Sequence, residues 1–303
     1  MFLKKIWNKL VNSQKYQELK YTKQKEKNVL IFKEKHESLI NDFKKSIETK
    51  KELNFLPSGH AAGVINSLPV IKKLSETHVC NLYINLNKPI KFYYKHPAGK
   101  FYINDNIYRM LEPLLKKQKY LNNVEVYKNQ NIDINFDLIR DLPINLLFDN
   151  ATYAIILTGV QPDLTKSFIE ADYHDEHKNK IIIQRTFRYR NQFINYKFLN
   201  DYDNLLFVGT NDEYNDLKKS VSKLKFHDCK NFLDMANIVN SSKFVIANSS
   251  ITFPIAEGLQ IPRLLESCPD FPAAQPHGKN AFNFYFQSYF EEKFNYLNKL
   301  KAN

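Results

Sequence analysis

The feature that most constrains the fold of this chain is a regular alternation of short apolar runs with helical patterns after residue 51. Runs such as "ELNFLPS" at 52–58 and "KIIIQRT" at 180–186 have the length and composition of buried strands. A helical pattern follows the first of them, "GVINSLPVIKKLSET" at 63–77. Buried strands that alternate with helices predict parallel sheets covered on both faces.

Two series of this kind are separated by the polar segment "EADYHDEHKNK" at 170–180. This arrangement predicts an α/β protein with two Rossmann-like domains facing each other across a cleft, over residues 52–170 and 171–303. The second domain is expected to close with a C-terminal helix. Residues 1–51 are rich in lysine and contain no Pro or Gly, which predicts a helical, basic N-terminal extension.

The charge and the first residues bear on partners and location. A formal net charge of +12 favours anionic partners, namely nucleotides, nucleic acid or acidic lipid headgroups. Residues 2–11 place Phe, Leu, Ile and Trp on one helical face, which predicts either peripheral contact with a membrane or packing against protein. Neither a secretory signal nor a membrane-spanning apolar run is present, so we expect a cytoplasmic protein, at most peripheral to the inner membrane.

The cysteine pattern gives no metal motif. Cys80, Cys229 and Cys268 lie far apart, which predicts reduced thiols and neither a disulfide framework nor a zinc site. The segment "DYHDEH" at 172–177 contains ligand-type residues, but its position between the two series indicates a solvated linker. The sequence therefore predicts no metal site.

Ligands of open parallel sheets bind beyond the carboxyl ends of the strands, and three loops qualify. The first follows "ELNFLPS" and contains Gly59, His60 and Gly63. The glycines allow a tight turn close to a ligand. A loop histidine with an ordinary pKa of ~6.5 is suited to act as a general base. The alternative, a histidine that only hydrogen-bonds locally, remains open.

The second loop, "QRTFRYRN" at 184–191, holds Arg185, Arg188 and Arg190 within six residues. Guanidinium groups bind phosphate oxygens bidentately, so this cluster predicts a phosphate-binding site. Surface arginines without a ligand are the alternative.

The third loop is an Asn-Ser-Ser turn between the apolar run "FVIA" and a helical pattern. Asn248, Ser249, Ser250 and Thr252 lie at this helix start, where unpaired N–H groups and the helix dipole attract phosphate. The same side chains are equally suited to cap the turn. Local chemistry does not decide between a phosphate site and a capped turn.

The segment "FLDMANIVNSSKFVIANSSITFPIAEGLQIPRLLE" at 232–266 resembles the nucleotide-sugar half of GT-B glycosyltransferases. It is similar to the ADP-heptose:lipopolysaccharide heptosyltransferases of glycosyltransferase family nine. Residues 248–251 match that family's Asn-Asp-Ser-Gly turn, and "GLQIP" matches its closing Gly-x-Pro segment. "SGHAAGVINSLPVIKKL" at 58–74 is similar to the family's opening strand, loop and helix. The resemblance covers roughly residues 53–90 and 180–268.

The resemblance implies a metal-independent transferase that moves a sugar from a nucleotide-diphosphate sugar to a glycan or lipid-linked acceptor. Glu257, in the helical pattern of this segment, is a candidate to accept hydrogen bonds from the ribose, and an exposed helix carboxylate is the alternative. Two positions depart from the family: its first-loop acid falls on Gly63, and the glycine of its Asn-Asp-Ser-Gly turn is Ile251. His60 is then the candidate base. A non-catalytic nucleotide- or sugar-binding protein is the first alternative, and a transferase acting on modified DNA bases is the second and less favoured one.

Overall fold

The computed structural model describes residues 12–90 and 99–300. The apolar face predicted over residues 2–11 lies outside these ranges. The chain begins with two helices, α1 at Ser13–Lys35 and α2 at Glu37–Thr49. The side chain of Asn12 caps α1 by accepting a hydrogen bond from the Lys15 backbone N–H at 2.9 Å. Helix α1 buries none of its residues and α2 buries Phe43. Phe32 of α1 and Ile40 and Ile47 of α2 are partly buried and pack against the same hydrophobic core as Phe43.

The first domain is a four-stranded parallel sheet in the order β3-β2-β1-β4. Its elements are β1 (Glu52–Leu56), α3 (Ala61–Leu74), β2 (Val79–Ile84), α4 (Asp105–Lys117), β3 (Asn123–Val126) and β4 (Ile134–Asn135). A further short helix, α5 (Tyr153–Thr158), follows. The central strands carry buried residues on both faces because helices cover the sheet on each side.

The second domain is a six-stranded parallel sheet in the order β10-β9-β8-β5-β6-β7. Its elements are β5 (Ile181–Gln184), β6 (Leu205–Val208), α6 (Asn211–Lys218), β7 (Lys225–His227), α7 (Phe232–Asn240), β8 (Phe244–Ala247), α8 (Thr252–Leu259), β9 (Arg263–Glu266), β10 (Ala281–Phe284) and α9 (Gln287–Lys299). The predicted fold class, two Rossmann-like domains with N-terminal helices, is thereby confirmed. The domain boundaries stay a prediction.

The two domains meet through helices. Helix α3 packs against α8, and α4 packs against α7. The connecting segment crosses α8 at Gly258, whose carbonyl accepts hydrogen bonds from the N–H groups of Phe168 at 2.8 Å and Ile169 at 2.9 Å. A Cβ at position 258 would lie 2.5 Å from the Ile169 side chain, so any larger residue there would force Ile169 to move.

Across the described ranges, no helix combines the length and the apolar character needed to cross a bilayer.

Candidate functional site

A cavity of about 530 Å³ lies between the two domains at the carboxyl ends of β1 and β5. This interdomain cleft is lined from the first domain by Ser58, His60, Gly63, Tyr102, Arg140 and Tyr153, and from the second by Arg188, Tyr189, Arg190, Ser249, Asp270 and Phe271. The cavity lies at the edge of both sheets where the strand-end rule places ligands, and its use as a binding site stays a prediction.

His60 stands at the start of α3 and faces the cleft. Its Nδ1 lies 2.8 Å from the backbone carbonyl oxygen of Tyr102. Because a carbonyl only accepts, Nδ1 carries the proton in this contact and the lone pair of the neutral ring is on Nε2. The pKa of His60 is lowered from 6.5 to about 4, chiefly by burial and also by the charges of Arg188 and Arg140, against the opposing effect of the Tyr102 hydrogen bond. The expectation of a pKa near 6.5 is therefore corrected, and the ring is neutral at neutral pH.

The two glycines of this loop are required by close contacts. Gly59 has φ +78°, in the left-handed region, and a Cβ there would collide with the guanidinium of Arg140. A Cβ at Gly63 would collide with the backbone oxygen of Ser58. With this loop geometry position 63 has no room for a side chain, which explains why an acid is absent there.

A polar network holds Arg140 at the first-domain wall of the cleft. Arg140 Nε donates to Ser58 Oγ at 2.8 Å, and Ser58 Oγ donates to Asp137 Oδ1 at 2.9 Å. Lys88 forms an ion pair with the other oxygen of Asp137. The Arg140 guanidinium lies 4.8 Å from the centre of the Tyr102 ring. Sequence reasoning missed Arg140, because it lies in a 3-10 turn, Phe136–Arg140, after a strand of only two residues.

Arg185 does not line the cleft, which corrects its predicted role. Its Nε and Nη2 donate to both oxygens of Glu266, at 2.7 and 2.8 Å. Tyr196 donates its hydroxyl to the same carboxylate at 2.8 Å, and the Glu266 side chain is fully buried. Arg185 is therefore a scaffold residue of the second domain.

Arg188 and Arg190 do reach the cleft. The Arg190 guanidinium is directed by Asp216, with Nη1 2.5 Å from Oδ2. The Arg188 guanidinium lies 5.0 Å from the centre of the Tyr189 ring, which stacks on Phe271 at 5.3 Å. The second-domain wall thus combines two guanidinium groups with an aromatic pair.

The Asn-Ser-Ser turn has mixed roles. Asn248 is fully buried, accepts from the Thr186 N–H at 3.0 Å and donates to the Thr186 carbonyl at 2.9 Å. These two bonds clamp the loop after β8 to the loop after β5. The Thr252 N–H donates to Gln184 Oε1 at 3.1 Å, and its hydroxyl bonds Met235 Sδ at 3.2 Å. Asn248 and Thr252 are therefore internal, which corrects their predicted place in a phosphate site.

Ser249 faces the cleft and, together with Ser250, a smaller cavity of about 40 Å³ beside it. Glu257 also lines this smaller cavity, where it is paired with the buried Arg263 and accepts from the His277 N–H at 3.1 Å. Burial raises the pKa of Glu257 despite these partners. Glu257 is thus not an exposed helix carboxylate.

His277 links the smaller cavity to the segment before α5. Its Nε2 lies 2.7 Å from Asp149 Oδ2, and this hydrogen bond raises the pKa of His277. Both residues line the smaller cavity. The sequence contained no signal for either residue, since Asp149 lies in an irregular segment and His277 lies between two strands.

Two parallel Rossmann-like sheets that face each other across a cleft define the GT-B architecture. Among solved structures, the chain is similar to the E. coli heptosyltransferase WaaC with ADP-2-deoxy-2-fluoro heptose, at a TM-score of 0.53 and 9% identity over 82% of this chain and 99% of that chain. It is also similar to the glycosyl transferase family 9 protein of Veillonella parvula, at a TM-score of 0.51 and 11% identity over 83% of this chain and 90% of that chain. The likeness to E. coli heptosyltransferase WaaC with ADP has a TM-score of 0.50 and 9% identity, and it covers 82% of this chain and 99% of that chain.

No protein-family model matches the sequence, and no curated protein matches it significantly. At such low identity the structural likeness is a likeness of fold, and it confirms the predicted resemblance at that level. The roles of individual residues rest on the geometry of the cleft.

Proposed function

We propose that the protein is a glycosyltransferase that moves a sugar from a nucleotide-diphosphate sugar to a hydroxyl of a glycan or lipid-linked acceptor. The observation that carries this proposal is the position of His60, a neutral imidazole that faces guanidinium groups across the cleft. Sugar transfer needs a base for the acceptor and positive charge for the departing diphosphate. The first-domain wall of the cleft supplies the base, His60, and the second-domain wall supplies the positive charge of Arg188 and Arg190.

In the proposed reaction the acceptor oxygen bonds to the anomeric carbon of the donor, and the bond from that carbon to the phosphate oxygen breaks. His60 Nε2 takes the proton of the acceptor hydroxyl, and the nucleoside diphosphate leaves with the bonding electrons. A bound diphosphate would offset the charges of Arg188 and Arg140, which contribute to the lowered pKa of His60. The donor would therefore make His60 a stronger base when it is needed.

The diphosphate would lie against Arg188 and Arg190, with the hydroxyl of Ser249 beside them. Asp216 fixes the direction of Arg190, so little side-chain freedom is lost when a phosphate binds. Arg140 adds a positive group from the opposite wall. In this account charge on the leaving group is stabilised by arginines that are already oriented.

Glu257 is our candidate for a contact with the ribose, because its carboxylate lines the smaller cavity next to Ser249. It would accept hydrogen bonds from ribose hydroxyls while Arg263 keeps it oriented. The aromatic pair Tyr189 and Phe271 offers a flat apolar surface in the cleft for a sugar ring.

Thermal-shift screening with nucleotide-diphosphate sugars tests the donor site, since a ligand that binds only the folded state raises the melting temperature. The same donors are then assayed for release of nucleoside diphosphate with and without glycan acceptors. A donor that stabilises the protein and is consumed supports the proposal. The absence of stabilisation by every donor contradicts it.

A non-catalytic nucleotide-sugar binder is the second candidate. Position 63 favours it, because the first-loop acid is replaced by glycine and a Cβ there would collide with the backbone oxygen of Ser58. A donor that stabilises the protein but is neither transferred nor hydrolysed would select this candidate. A transferase of modified DNA bases is a third candidate, favoured only by the net charge of +12. Salt-dependent retention on DNA tests it.

A further inference from the structure

A compact group of metal-ligand side chains lies on the loop between β7 and α7. His227 Nε2 or Nδ1, Cys229 Sγ and one carboxylate oxygen of Asp234 all lie within 4.8 Å of one another. His227 Nε2 is 3.5 Å from Asp234 Oδ2. The described lining of the cleft includes none of the three, so this group is separate from the proposed transferase site.

Regular structure positions the group. His227 is the last residue of β7 and pairs in register with Val208 of β6. Asp234 lies in the first turn of α7, where the side chain of Asn231 accepts from its N–H at 2.9 Å. The Lys230 N–H in turn donates to Asp234 Oδ2 at 2.9 Å. Strand end, helix start and the loop between them therefore hold the donors in place without a ligand.

The charges around the group suit a cation. Asp234 is itself one of the donors, and Asp228 lies between His227 and Cys229 in the chain. Beside the group, the His177 ring meets the His227 ring edge-on at 6.2 Å. A divalent cation would remove the repulsion between a thiolate and these carboxylates.

We propose that His227, Cys229 and Asp234 bind one zinc ion, with water in the fourth position. Zinc takes nitrogen, sulfur and oxygen ligands at bond lengths that place tetrahedral donors roughly 3.3–3.8 Å apart. The His227–Asp234 separation already meets this range, and Cys229 needs a shift of about an ångström by the same criterion. Binding displaces the thiol proton into solvent: Zn²⁺ and the Cys229 S–H give a zinc–thiolate bond and H⁺.

The zinc would connect the edge strand β7 to α7 and fasten the loop between them. It would also assign a role to His177, whose segment the sequence indicates to be a solvated linker: its ring would lie beside the metal ligand His227. The expectation of no zinc site came from sequence spacing, which shows no paired Cys or His motif. The fold instead brings together a His-x-Cys pair and an aspartate five residues further on.

Titration of the metal-depleted full-length protein with Co²⁺ tests the proposal, because a cobalt–thiolate bond gives a charge-transfer absorption band. We expect one Co²⁺ per chain and displacement by Zn²⁺, which binds such sites more tightly. Cys229→Ser is expected to lose the band. His227→Gln is expected to raise the Kd by at least about 100-fold, since even outer-shell changes cost about 10- to 100-fold.

Asp228→Asn is the matched control, because it removes a neighbouring carboxylate that is not among the three donors. This variant is expected to keep the band and the stoichiometry. Circular dichroism checks that each variant is folded. The proposal is overturned if the folded wild type gives no band, if Cys229→Ser retains it, or if Asp228→Asn weakens binding as much as His227→Gln.

Discussion

The neutral state of His60 has a measurable consequence for the pH dependence of stability. The pKa of His60 is lowered from 6.5 in an unfolded chain to about 4 in the folded protein. Between these values the unfolded state binds the proton and the folded state does not. The free energy of unfolding therefore decreases as the pH falls from about 7 to 4, by about 3 kcal/mol from this residue alone.

His60→Gln removes this titration and keeps a polar side chain of similar size. Urea unfolding of the wild type and the variant at a series of pH values between 4 and 7.5 measures the difference. We expect the wild type to lose about 3 kcal/mol relative to the variant over that interval. His174→Gln is the matched control, because this exposed histidine lies outside the cleft lining. Parallel pH profiles for the wild type and His60→Gln would refute a neutral, buried His60.

Three further predictions concern the arginines and the domain contact. Arg188→Ala and Arg190→Ala are each expected to weaken binding of a nucleoside diphosphate by ~1.5–3 kcal/mol, which is the range for a hydrogen bond to a charged group. Calorimetry measures this affinity, and an unchanged affinity in both variants would refute the role of the two arginines. Arg185→Ala is expected to lower the free energy of unfolding by about 3–5 kcal/mol, because it removes the only cation that pairs with the buried Glu266 carboxylate in the described part of the chain and leaves that carboxylate only neutral donors such as Tyr196. A change below ~1 kcal/mol in urea unfolding, as for an exposed ion pair, would contradict the scaffold role. Gly258→Ala is expected to destabilise by about 1–3 kcal/mol through overpacking against Ile169, and a melting temperature equal to that of the wild type would contradict the close contact.

The longest apolar runs predicted the fold because they form strands buried on both faces. The runs "ELNFLPS", "VCNLYINL", "KIIIQRT", "NLLFVGT", "KFVIANS" and "RLLES" predict β1, β2, β5, β6, β8 and β9, and the structure has all of them. The shorter run "VEVYK" predicts β3, an edge strand that the structure also has. The sequence missed β4, β7 and β10, which lie at the other three sheet edges. Edge strands are half covered, so β7 (Lys225–His227) and β10 (Ala281–Phe284) lack a continuous apolar pattern.

The sequence placed its candidate residues at strand ends that border the interdomain cleft, and only some of these residues line it. His60 was singled out because the glycines on either side mark a tight loop at a strand end, and its role stays a prediction. Arg185 was misassigned because residue type does not reveal a partner, and its carboxylate, Glu266, lies 81 residues away in the sequence. Asn248 was ambiguous for the same reason, since only the fold shows that Thr186 satisfies both ends of its amide.

The central claim is that His60 is the base of a sugar transfer, and the turnover of a nucleotide-diphosphate sugar tests it most directly. The donor is one that stabilises the protein in thermal-shift screening, and release of nucleoside diphosphate is measured for the wild type, His60→Gln and His174→Gln. We predict that His60→Gln lowers turnover by ~100-fold or more, while donor affinity and the His174→Gln control stay unchanged. Full turnover in His60→Gln, or a wild type that binds the donor without consuming it, would contradict the claim.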